Sequence, residues 1–497
     1  MKRKLSILLA VFMLFGVLIL LASCGTPDKD TDTSTQTTEK TDNTEPEHKH
    51  IKEIIPAVAP TCTETGLAEG EKCSECGEVL VEQETLNKTL HTYVDSYTCT
   101  VCGEIAKESQ GLLYDFTDET KTAYSVVGIG TCVDNNIIIP YTYNGLPVIR
   151  VSSGAFEECT NITSVTLSNN IVLIEDYAFG NCYGMVRIVI GTGVEDLLFT
   201  AFLGCTKLVE IYDLSKNPLT LENAQMSLQG YGGVFTRHRH GGPYDLMAVH
   251  SSIDTPSLIT EQDDFMFITK DNKNYLLGYK GSAIDVTLPR TYKDKPYYMF
   301  KYAFSNCTIT ENISIPDSIT SIGEYAFSFC TSLKEITIPN NVTSIGNRAF
   351  ECCSSLVNAT IGNNVTSIGK EAFKECTSLE NVTIGNNVTS IGKEAFKECN
   401  SLAYITIPNN VTTIEESAFY GCVLLEEVII PDSVTSIGNY VFYNCTSLTN
   451  VTFENTNGWY ATRSGGSISG TNMDTTNASA NAVCFTDTYY NYYWYKK

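Results

Sequence analysis

Apolar and polar positions alternate in a pattern that repeats every 23 residues along much of the chain. In one unit, Ile336 and Ile338 alternate with Thr337, which is typical of a strand with one buried face. Val342 and Ile345 then predict a second short extended segment. A fixed period of this length predicts a solenoid, in which each coil buries its apolar face only by stacking on its neighbours.

An Ala-Phe pair and a cysteine end each unit. Ala349, Phe350 and Cys353 have helical spacing, so we expect a short helical or 3₁₀ turn that buries Phe350 and Cys353. Stacked cysteines would lie within disulfide distance, but identical side chains in a stack point the same way. We therefore interpret these cysteines as small buried hydrophobic residues. They keep the 23-residue step at Cys159, Cys182 and Cys205, and again at Cys307, Cys330, Cys353, Cys376, Cys399, Cys422 and Cys445.

The repeat is irregular between residues 206 and 302, where the cysteine step is interrupted. This stretch holds a local concentration of basic and aromatic residues, including Arg237, His238 and Tyr244. Insertions in solenoids lie on one face and often recognise the partner. The stretch is therefore either a partner-binding insertion or a solvated elaboration of two irregular coils.

A second candidate binding surface is the polar side of the predicted strands. Equivalent positions carry a row of threonines, namely Thr337, Thr360, Thr383 and Thr406. Such a flat and weakly charged row could bind the edge of a protein or a glycan. The same threonines also suit a water-exposed strand by β propensity alone.

Residues 454–497 leave the period and are rich in aromatic side chains, among them Trp459, Tyr460 and a cluster at 489–495. The end of a solenoid exposes an apolar cross-section that must be covered. We therefore predict an aromatic carboxyl-terminal cap. An aromatic platform for carbohydrate is the alternative.

Residues 48–108 contain two Cys-x-x-Cys-Gly motifs, formed by Cys73 and Cys76 and by Cys99 and Cys102. In such a knuckle both thiolates point at one tetrahedral ion, and glycine permits the tight backbone after the second cysteine. The segment is too small to fold on an apolar core of its own. We therefore predict a zinc-ribbon-like module in which all four cysteines bind one structural zinc.

Two other interpretations of this module stay open. An exported protein meets oxidising surroundings, in which the cysteines would form a pair of disulfides. Alternatively, Cys62 or His91 belongs to the ligand set of the metal.

The first 23 residues predict an export signal, with Lys2-Arg3-Lys4 ahead of an apolar stretch at 5–21. The sequence Leu21-Ala22-Ser23-Cys24 resembles the bacterial lipobox. The resemblance implies cleavage before Cys24, diacylation of Cys24, and a membrane anchor without a transmembrane helix. An uncleaved amino-terminal anchor is the alternative. Residues 24–47 contain no aromatic or large aliphatic residue and predict a disordered Thr/Asp/Glu-rich linker.

The charge balance is strongly acidic, with 57 acidic and 33 basic residues and a net charge of −24. Nucleic acids and anionic lipids need basic stripes, so the charge argues against both as electrostatic partners. The chain contains no Gly-x-Ser-x-Gly or His-Glu-x-x-His motif. We therefore predict a protein that is not an enzyme.

The repeats, of the form Leu-x-x-Ile-x-Ile-Pro-x-x-Val-x-x-Ile-Gly-x-x-Ala-Phe-x-x-Cys, closely resemble the BspA-like leucine-rich repeat family from Tyr114 to Phe453. The resemblance implies a leucine-rich-repeat solenoid of parallel strands and short turns over residues 109–453, after a small zinc-ribbon-like module. It also implies a surface protein that binds extracellular or surface proteins, sometimes as an adhesin. Together with the lipobox, it places the chain at the bacterial cell surface on a lipid anchor. A glycan-binding surface protein and a structural component of the cell coat are the alternatives.

Overall fold

The computed structural model describes residues 49–91, 99, 101–105, 107–198, 200–219, 247–463, 465 and 470–496. The predicted signal peptide at 1–23, with the lipidation site Cys24, and the predicted linker at 24–47 lie outside the described residues. The candidate binding residues Arg237, His238 and Tyr244 lie outside them as well. Within the described residues, no helix is long and apolar enough to cross a membrane.

Two small antiparallel sheets form the cysteine module. Strand β3 pairs with β1 and β4, and β2 pairs with β5. The bounds are β1 (Lys52–Ile55), β2 (Gly66–Leu67), β3 (Gly70–Cys73), β4 (Val79–Val81) and β5 (Thr85–Leu86). Most of the residues in these strands are exposed or half-buried, so the module buries little apolar surface.

The first half of the solenoid has two sheets, because each coil contributes one longer and one shorter strand. One sheet has the order β8-β11-β13-β15-β16 and is parallel throughout, and the other has the order β6-β7-β10-β12-β14. The bounds are β6 (Leu113–Phe116), β7 (Tyr124–Gly128), β8 (Asn136–Ile138), β9 (Thr142–Tyr143), β10 (Leu146–Val151), β11 (Ser164–Thr166), β12 (Leu173–Ile174), β13 (Arg187–Ile190), β14 (Asp196–Leu197), β15 (Glu210–Asp213) and β16 (Ala248–His250).

Three antiparallel strands interrupt the solenoid in the irregular stretch. They are β17 (Ile259–Gln262), β18 (Phe265–Lys270) and β19 (Lys273–Tyr279). Apolar side chains of this meander pack with Val186, Val209 and Phe300 of the coils on either side in a small core of their own. The meander therefore joins the two large apolar cores, one in each half of the solenoid.

The second half repeats the two-strand coil with greater regularity. Its longer strands form parallel sheets of the order β20-β22-β24-β26-β28 and β31-β33, and its shorter strands form the sheet β23-β25-β27-β29-β30-β32. The bounds are β20 (Asp285–Thr287), β21 (Tyr298–Met299), β22 (Asn312–Ser314), β23 (Ser321–Ile322), β24 (Glu335–Ile338), β25 (Ser344–Ile345), β26 (Asn358–Ile361), β27 (Ser367–Ile368), β28 (Asn381–Thr383), β29 (Ser390–Ile391), β30 (Thr413–Ile414), β31 (Glu427–Ile430), β32 (Ser436–Ile437) and β33 (Asn450–Phe453). The predicted solenoid is confirmed, with about 13 turns.

The third side of each coil consists of short turns rather than a regular helix. As expected, Phe350 and Cys353 are buried there, and the Cys353 N–H donates to the Phe350 carbonyl at 3.3 Å, which is the i to i+3 bond of a 3₁₀ turn. The backbone N–H of Phe350 donates to the carbonyl oxygen of Ala372 in the next coil at 2.7 Å, and that of Cys352 donates to the carbonyl oxygen of Lys374 at 2.8 Å. The turn therefore uses some of its N–H groups for bonds within its own coil and the others for bonds to the next coil. Left-handed φ values of 55° at Arg348 and 59° at Cys352 bend the chain so that alternate N–H groups face the next coil.

The phenylalanine and cysteine ladders fill the core behind these turns. The rings of Phe350 and Phe373 stack with their centroids 5.0 Å apart. The Sγ of Cys353 donates to the carbonyl oxygen of Phe327 in the preceding coil at 3.1 Å, and the same contact recurs along the ladder. Burial raises the pKa of Cys353 well above its ordinary range, so the thiol stays protonated and remains a donor. Eight of the ten ladder cysteines are buried free thiols, as predicted, and these eight also hydrogen bond between coils, whereas Cys159 and Cys307 are half-buried.

The residues after Phe453 cover the last coil. They form β34 (Trp459–Thr462), β35 (Thr471–Asn472), α1 (Ala478–Val483), a π-helical turn (Cys484–Thr488) and β36 (Tyr493–Lys496). Strand β36 pairs antiparallel with β32 and β34, which extends the sheet of shorter strands. The fully buried Trp494 stacks on Phe485 with ring centroids 4.3 Å apart. These aromatic side chains face the solenoid core rather than solvent.

Candidate binding face and metal-ligand clusters

The parallel register brings the predicted threonine row together on the outer face of the longer strands. Thr337 pairs with Thr360, and Thr360 pairs with Thr383, all three being exposed. Thr406 is also exposed and lines the same concave surface as Thr383. We call the outer surface of the longer strands from Asp285 to Thr452 the strand face.

Two shallow concavities lie on the strand face. The first, of about 600 Å³, is lined by Thr337, Thr360 and Thr383 together with Asn and Glu side chains at strand starts. The second, of about 440 Å³, shares Thr383 and continues past Thr406. Both are open grooves with polar walls, which suits the docking of an extended surface rather than an enclosed small molecule.

The second concavity contains two exposed apolar side chains that the sequence analysis did not single out. Tyr404 is 58% exposed and Ile429 is 54% exposed. The other regular coils between Asn312 and Asn450 carry Asn or Glu at the position of Tyr404, and Thr or Ser at the position of Ile429. This departure from the repeat is the signal in the sequence that could have identified the pair.

The sheet of longer strands is also interrupted at this place. Tyr404 makes only an isolated bridge to Glu427, between β28 and β31. The Tyr404 hydroxyl donates to Glu426 Oε2 at 2.8 Å, and this hydrogen bond raises the pKa of Tyr404. Glu380, Glu427 and Glu454 line the same concavity, so the apolar pair lies within an acidic rim.

The described part of the irregular stretch contains a buried ionic cluster around Glu210. Arg187 Nε donates to Glu210 Oε2 at 2.6 Å, and the Leu258 N–H donates to Oε1 at 2.7 Å. His250 Nε2 lies 3.6 Å from the same Oε1. Burial alone would raise the pKa of Glu210, but the Arg187 charge and these contacts outweigh it and lower the pKa to about 2. The cluster ties the coil of β15 to the segment that precedes β17.

The structure does not bring the four predicted zinc ligands together. Cys73 and Cys76 form a cluster with His50, whereas Cys99 and Cys102 form a cluster with Cys62 and His91. In each cluster the ligand atoms lie within 4.8 Å of one another. The single site of four cysteines is therefore replaced by two clusters, and the interpretation that added Cys62 or His91 is the one that this arrangement favours.

The two knuckles share one backbone conformation. The backbone N–H of Cys73 donates to the backbone carbonyl of Glu78 at 2.7 Å, and that of Cys99 donates to the backbone carbonyl of Glu104 at the same distance. The glycine after each knuckle has a φ of 76°, a left-handed value that favours glycine. This turn places both cysteine side chains of a knuckle on one side.

Each cluster also has a histidine between a thiol and a carboxylate. His91 Nδ1 lies 3.4 Å from Cys102 Sγ, and its Nε2 lies 3.2 Å from Glu104 Oε2. In the other cluster, His50 Nδ1 lies 3.6 Å from Cys76 Sγ, and its Nε2 lies 3.4 Å from Glu78 Oε2. Thiolates and imidazole in this grouping suit zinc and similar borderline-soft ions.

Comparison with known families matches the description "BspA type leucine rich repeat region" in six copies, over residues 132–224, 298–425 and 366–491. These segments make up more than half of the chain. The chain belongs to the BspA-type leucine-rich repeat family. A comparison with curated protein sequences found no match.

Several solved structures are similar to this BspA-type chain. A leucine rich cell surface protein from Faecalibacterium prausnitzii is 21% identical and covers 71% of this chain and 96% of its own, with a TM-score of 0.30. A leucine-rich repeat protein from Eubacterium ventriosum is 19% identical and covers 68% of this chain and 94% of its own, with a TM-score of 0.39. The pneumococcal vaccine antigen PcpA is 16% identical and covers 73% of this chain and 83% of its own, with a TM-score of 0.27. At these values the assignment rests on the family match, and the BspA-type solenoid is a scaffold that typically binds rather than catalyses.

Proposed function

We propose that this chain is an exported, lipid-anchored protein of the bacterial cell surface that binds other proteins through its strand face. The observation that carries the proposal is the exposed pair Tyr404 and Ile429 within an acidic rim. Aromatic side chains on a water-facing strand stabilise no core, and they are enriched at the centres of protein interfaces. Adhesion to host or bacterial surface proteins is the role that this arrangement supports.

The charge of the face indicates the chemistry of the partner. Glu427, Glu426 and Glu454 surround the apolar pair, and the chain as a whole carries a net charge of −24. A complementary partner segment therefore presents lysine or arginine around an apolar centre. The ionic rim would speed association, and its contribution would weaken as salt rises.

The location at the cell surface rests on the predicted export signal and lipobox. The similar structure from Faecalibacterium prausnitzii is named a cell surface protein, which agrees with this location. Metabolic labelling with a fatty acid analogue tests the anchor, because Cys24→Ser should remove both the label and the membrane association. Labelling that persists in Cys24→Ser would contradict lipidation at Cys24.

The binding test uses the full chain against arrays of extracellular-matrix proteins, bacterial surface proteins and glycans. We expect saturable binding to a protein ligand that the double variant Tyr404→Asn, Ile429→Thr weakens at least tenfold. Asn and Thr already occupy these positions in neighbouring coils, so the variant should fold. Val172→Thr, which changes an exposed apolar residue in the first half, serves as the matched control.

Three outcomes would contradict the proposal. Binding to glycans but to no protein would favour the lectin alternative, and binding to neither would favour a structural role in the cell coat. Equal loss of binding in the control variant Val172→Thr would show that the strand face near Tyr404 is not the site.

A further inference from the structure

The cysteine module contains two equivalent arrangements where its sequence predicted one metal site. We propose that it binds two separate transition-metal ions of the zinc class. One ion is held by Cys62, His91, Cys99 and Cys102, and the other by His50, Cys73 and Cys76 within the described part of the chain. This inference concerns the module and does not depend on the proposed binding function of the solenoid.

The cluster of Cys62, His91, Cys99 and Cys102 has the complete ligand set of a structural zinc site. Three thiolates and one imidazole are a ligand combination that closes a tetrahedral zinc site. Cys62 and Cys99 are buried, with their Sγ atoms 3.7 Å apart. Two buried thiols at this separation are close enough to share one ion and too far apart to be bonded as a disulfide.

The position of Cys62 in the sequence gives this cluster a role in folding. Cys62 precedes the first knuckle, whereas the three other ligands lie around the second knuckle. An ion bound here would therefore link the two halves of the module, which bury little apolar surface between them. In a domain of this size the free energy of metal binding becomes free energy of folding.

The glutamate contacts are a second observation that points to metal binding. Metal-bound histidines commonly donate their other ring nitrogen to a carboxylate, which orients the ring. Glu78 and Glu104 occupy this place for His50 and His91, at 3.4 and 3.2 Å. Each follows the Cys-x-x-Cys-Gly knuckle directly. The same triad of thiol, imidazole and carboxylate is thus built twice, once for each ion.

The number of bound ions separates this proposal from the alternatives. The full chain, purified in detergent with a reductant and loaded with zinc, should hold two zinc ions per chain by native mass spectrometry or elemental analysis. Cys73→Ser and Cys102→Ser should each hold one ion, and the double variant should hold none. Cys352→Ser, which changes a half-buried solenoid cysteine, is the matched control and should keep two.

If the wild-type chain held a single zinc ion, and both Cys73→Ser and Cys102→Ser lost that ion, the proposal would be overturned in favour of the four-cysteine site. A chain without zinc whose module cysteines resist alkylation until reduced would overturn it in favour of disulfides.

Cobalt spectroscopy gives a readout that misfolding alone would not imitate. Thiolate-to-cobalt charge transfer grows with the number of bound thiolates, which is three in one cluster and two in the other. The band that remains in Cys73→Ser should therefore be stronger than the band that remains in Cys102→Ser, in a ratio of about 3 to 2. Equal bands in the two variants would contradict the assigned ligand sets.

The conservative variants Glu78→Gln and Glu104→Gln test the carboxylates without removing a ligand. Each should keep the stoichiometry of two ions but weaken one site by about 10–100-fold, as measured by competition with a chelator. Unchanged affinity at both sites would show that the glutamates are not oriented partners of metal-bound histidines.

Discussion

The regular coils after residue 303 and the junction at residues 206–302 stabilise one solenoid by different means. In the regular coils the main core contacts are repeated, as in the stacked rings of Phe350 and Phe373. In the junction the main contacts are made once, by the buried Glu210 cluster and by the buried Lys207. The repeated core contacts use apolar side chains and neutral donors, whereas these single contacts of the junction use buried charges. The stability of the junction should therefore depend on pH.

The largest effect is expected from breaking the repeated ladder. Phe373→Ala should lower the free energy of unfolding by about 3–5 kcal/mol, because Phe373 is fully buried between two stacked rings. Urea denaturation followed by circular dichroism measures the loss. Phe373→Leu, which leaves a much smaller cavity, is the control, and a loss below about 1 kcal/mol in Phe373→Ala would mean that the coils close over the gap.

Neutralising Glu210 should have the next largest effect and should change the pH dependence. Glu210→Gln leaves Arg187 without its carboxylate and should cost about 2–4 kcal/mol at pH 7. The folded pKa of Glu210, about 2, lies below its ordinary value of 4.5. The carboxylate therefore stabilises the fold above pH 4.5, and this contribution is lost as the pH falls from 4.5 towards 2.

Urea denaturation of both proteins at several pH values between 2 and 6 tests this expectation. The difference in unfolding free energy between the wild type and Glu210→Gln should shrink as the pH falls. A difference that stays constant over this range would show that Glu210 does not titrate with a lowered pKa.

Replacing Lys207 should stabilise the junction. Lys207 Nζ donates to the Ala303 carbonyl at 3.0 Å, and no ion pair in the described part of the chain involves it. Burial lowers the pKa of Lys207 to about 8. Lys207→Met should raise the free energy of unfolding at pH 7 by about 1–2 kcal/mol, because it removes a buried charge.

The pH dependence caused by Lys207 has the same sign as that of Glu210, because both pKa values are lower in the folded chain, but it lies in a more alkaline range. The unfolded chain, with an ordinary lysine pKa of 10.5, holds the proton more tightly than the folded chain. Wild-type stability should therefore rise between pH 8 and pH 10.5, and the rise should be absent in Lys207→Met. Urea denaturation measures the stability of both proteins over this pH range. An equal rise in stability in the wild type and in Lys207→Met would show that the lowered pKa of Lys207 does not cause it.

The smallest effect is expected from a single hydrogen bond of the cysteine ladder. Cys376→Ala removes the bond from Cys376 Sγ to the Phe350 carbonyl, 3.1 Å long, and should cost about 1 kcal/mol. Cys159→Ala is the control, since Cys159 is the first cysteine of this ladder and is only half-buried. Equal losses in the two variants would mean that the ladder contact contributes nothing beyond packing.

Much of the fold follows from local pattern. The alternation of Ile336, Thr337 and Ile338 predicted the buried and exposed faces of the longer strand, and the structure has Ile336 buried and Thr337 exposed. The short turn at Phe350 and Cys353 was also expected, but the pattern does not contain the partners of all its N–H groups. The spacing of these residues fits both a regular helical turn and a bend with left-handed residues. In the bend, alternate N–H groups bond to the next coil, which a single unit cannot show.

The candidate sites were harder to predict from the sequence than the fold. Cys-x-x-Cys spacing identifies a knuckle but does not say which histidine and which distant cysteine approach it, and so the division into two clusters was missed. Tyr404 and Ile429 were overlooked because each is an ordinary strand residue. Their meaning comes from their neighbours, since the repeat places Asn and Thr at the equivalent positions of other coils.

By itself, the sequence determined that this protein is a solenoid of stacked strands, because a strict 23-residue period with buried Ile, Phe and Cys can be satisfied only by stacking. Only the tertiary structure decided how the polar groups are partnered. Glu210, Lys207 and the two cysteine clusters owe their environments to residues far away in the chain. Apolar burial is non-directional and can be read from periodicity, whereas hydrogen bonds, ion pairs and metal ligation depend on distances that only the folded chain sets.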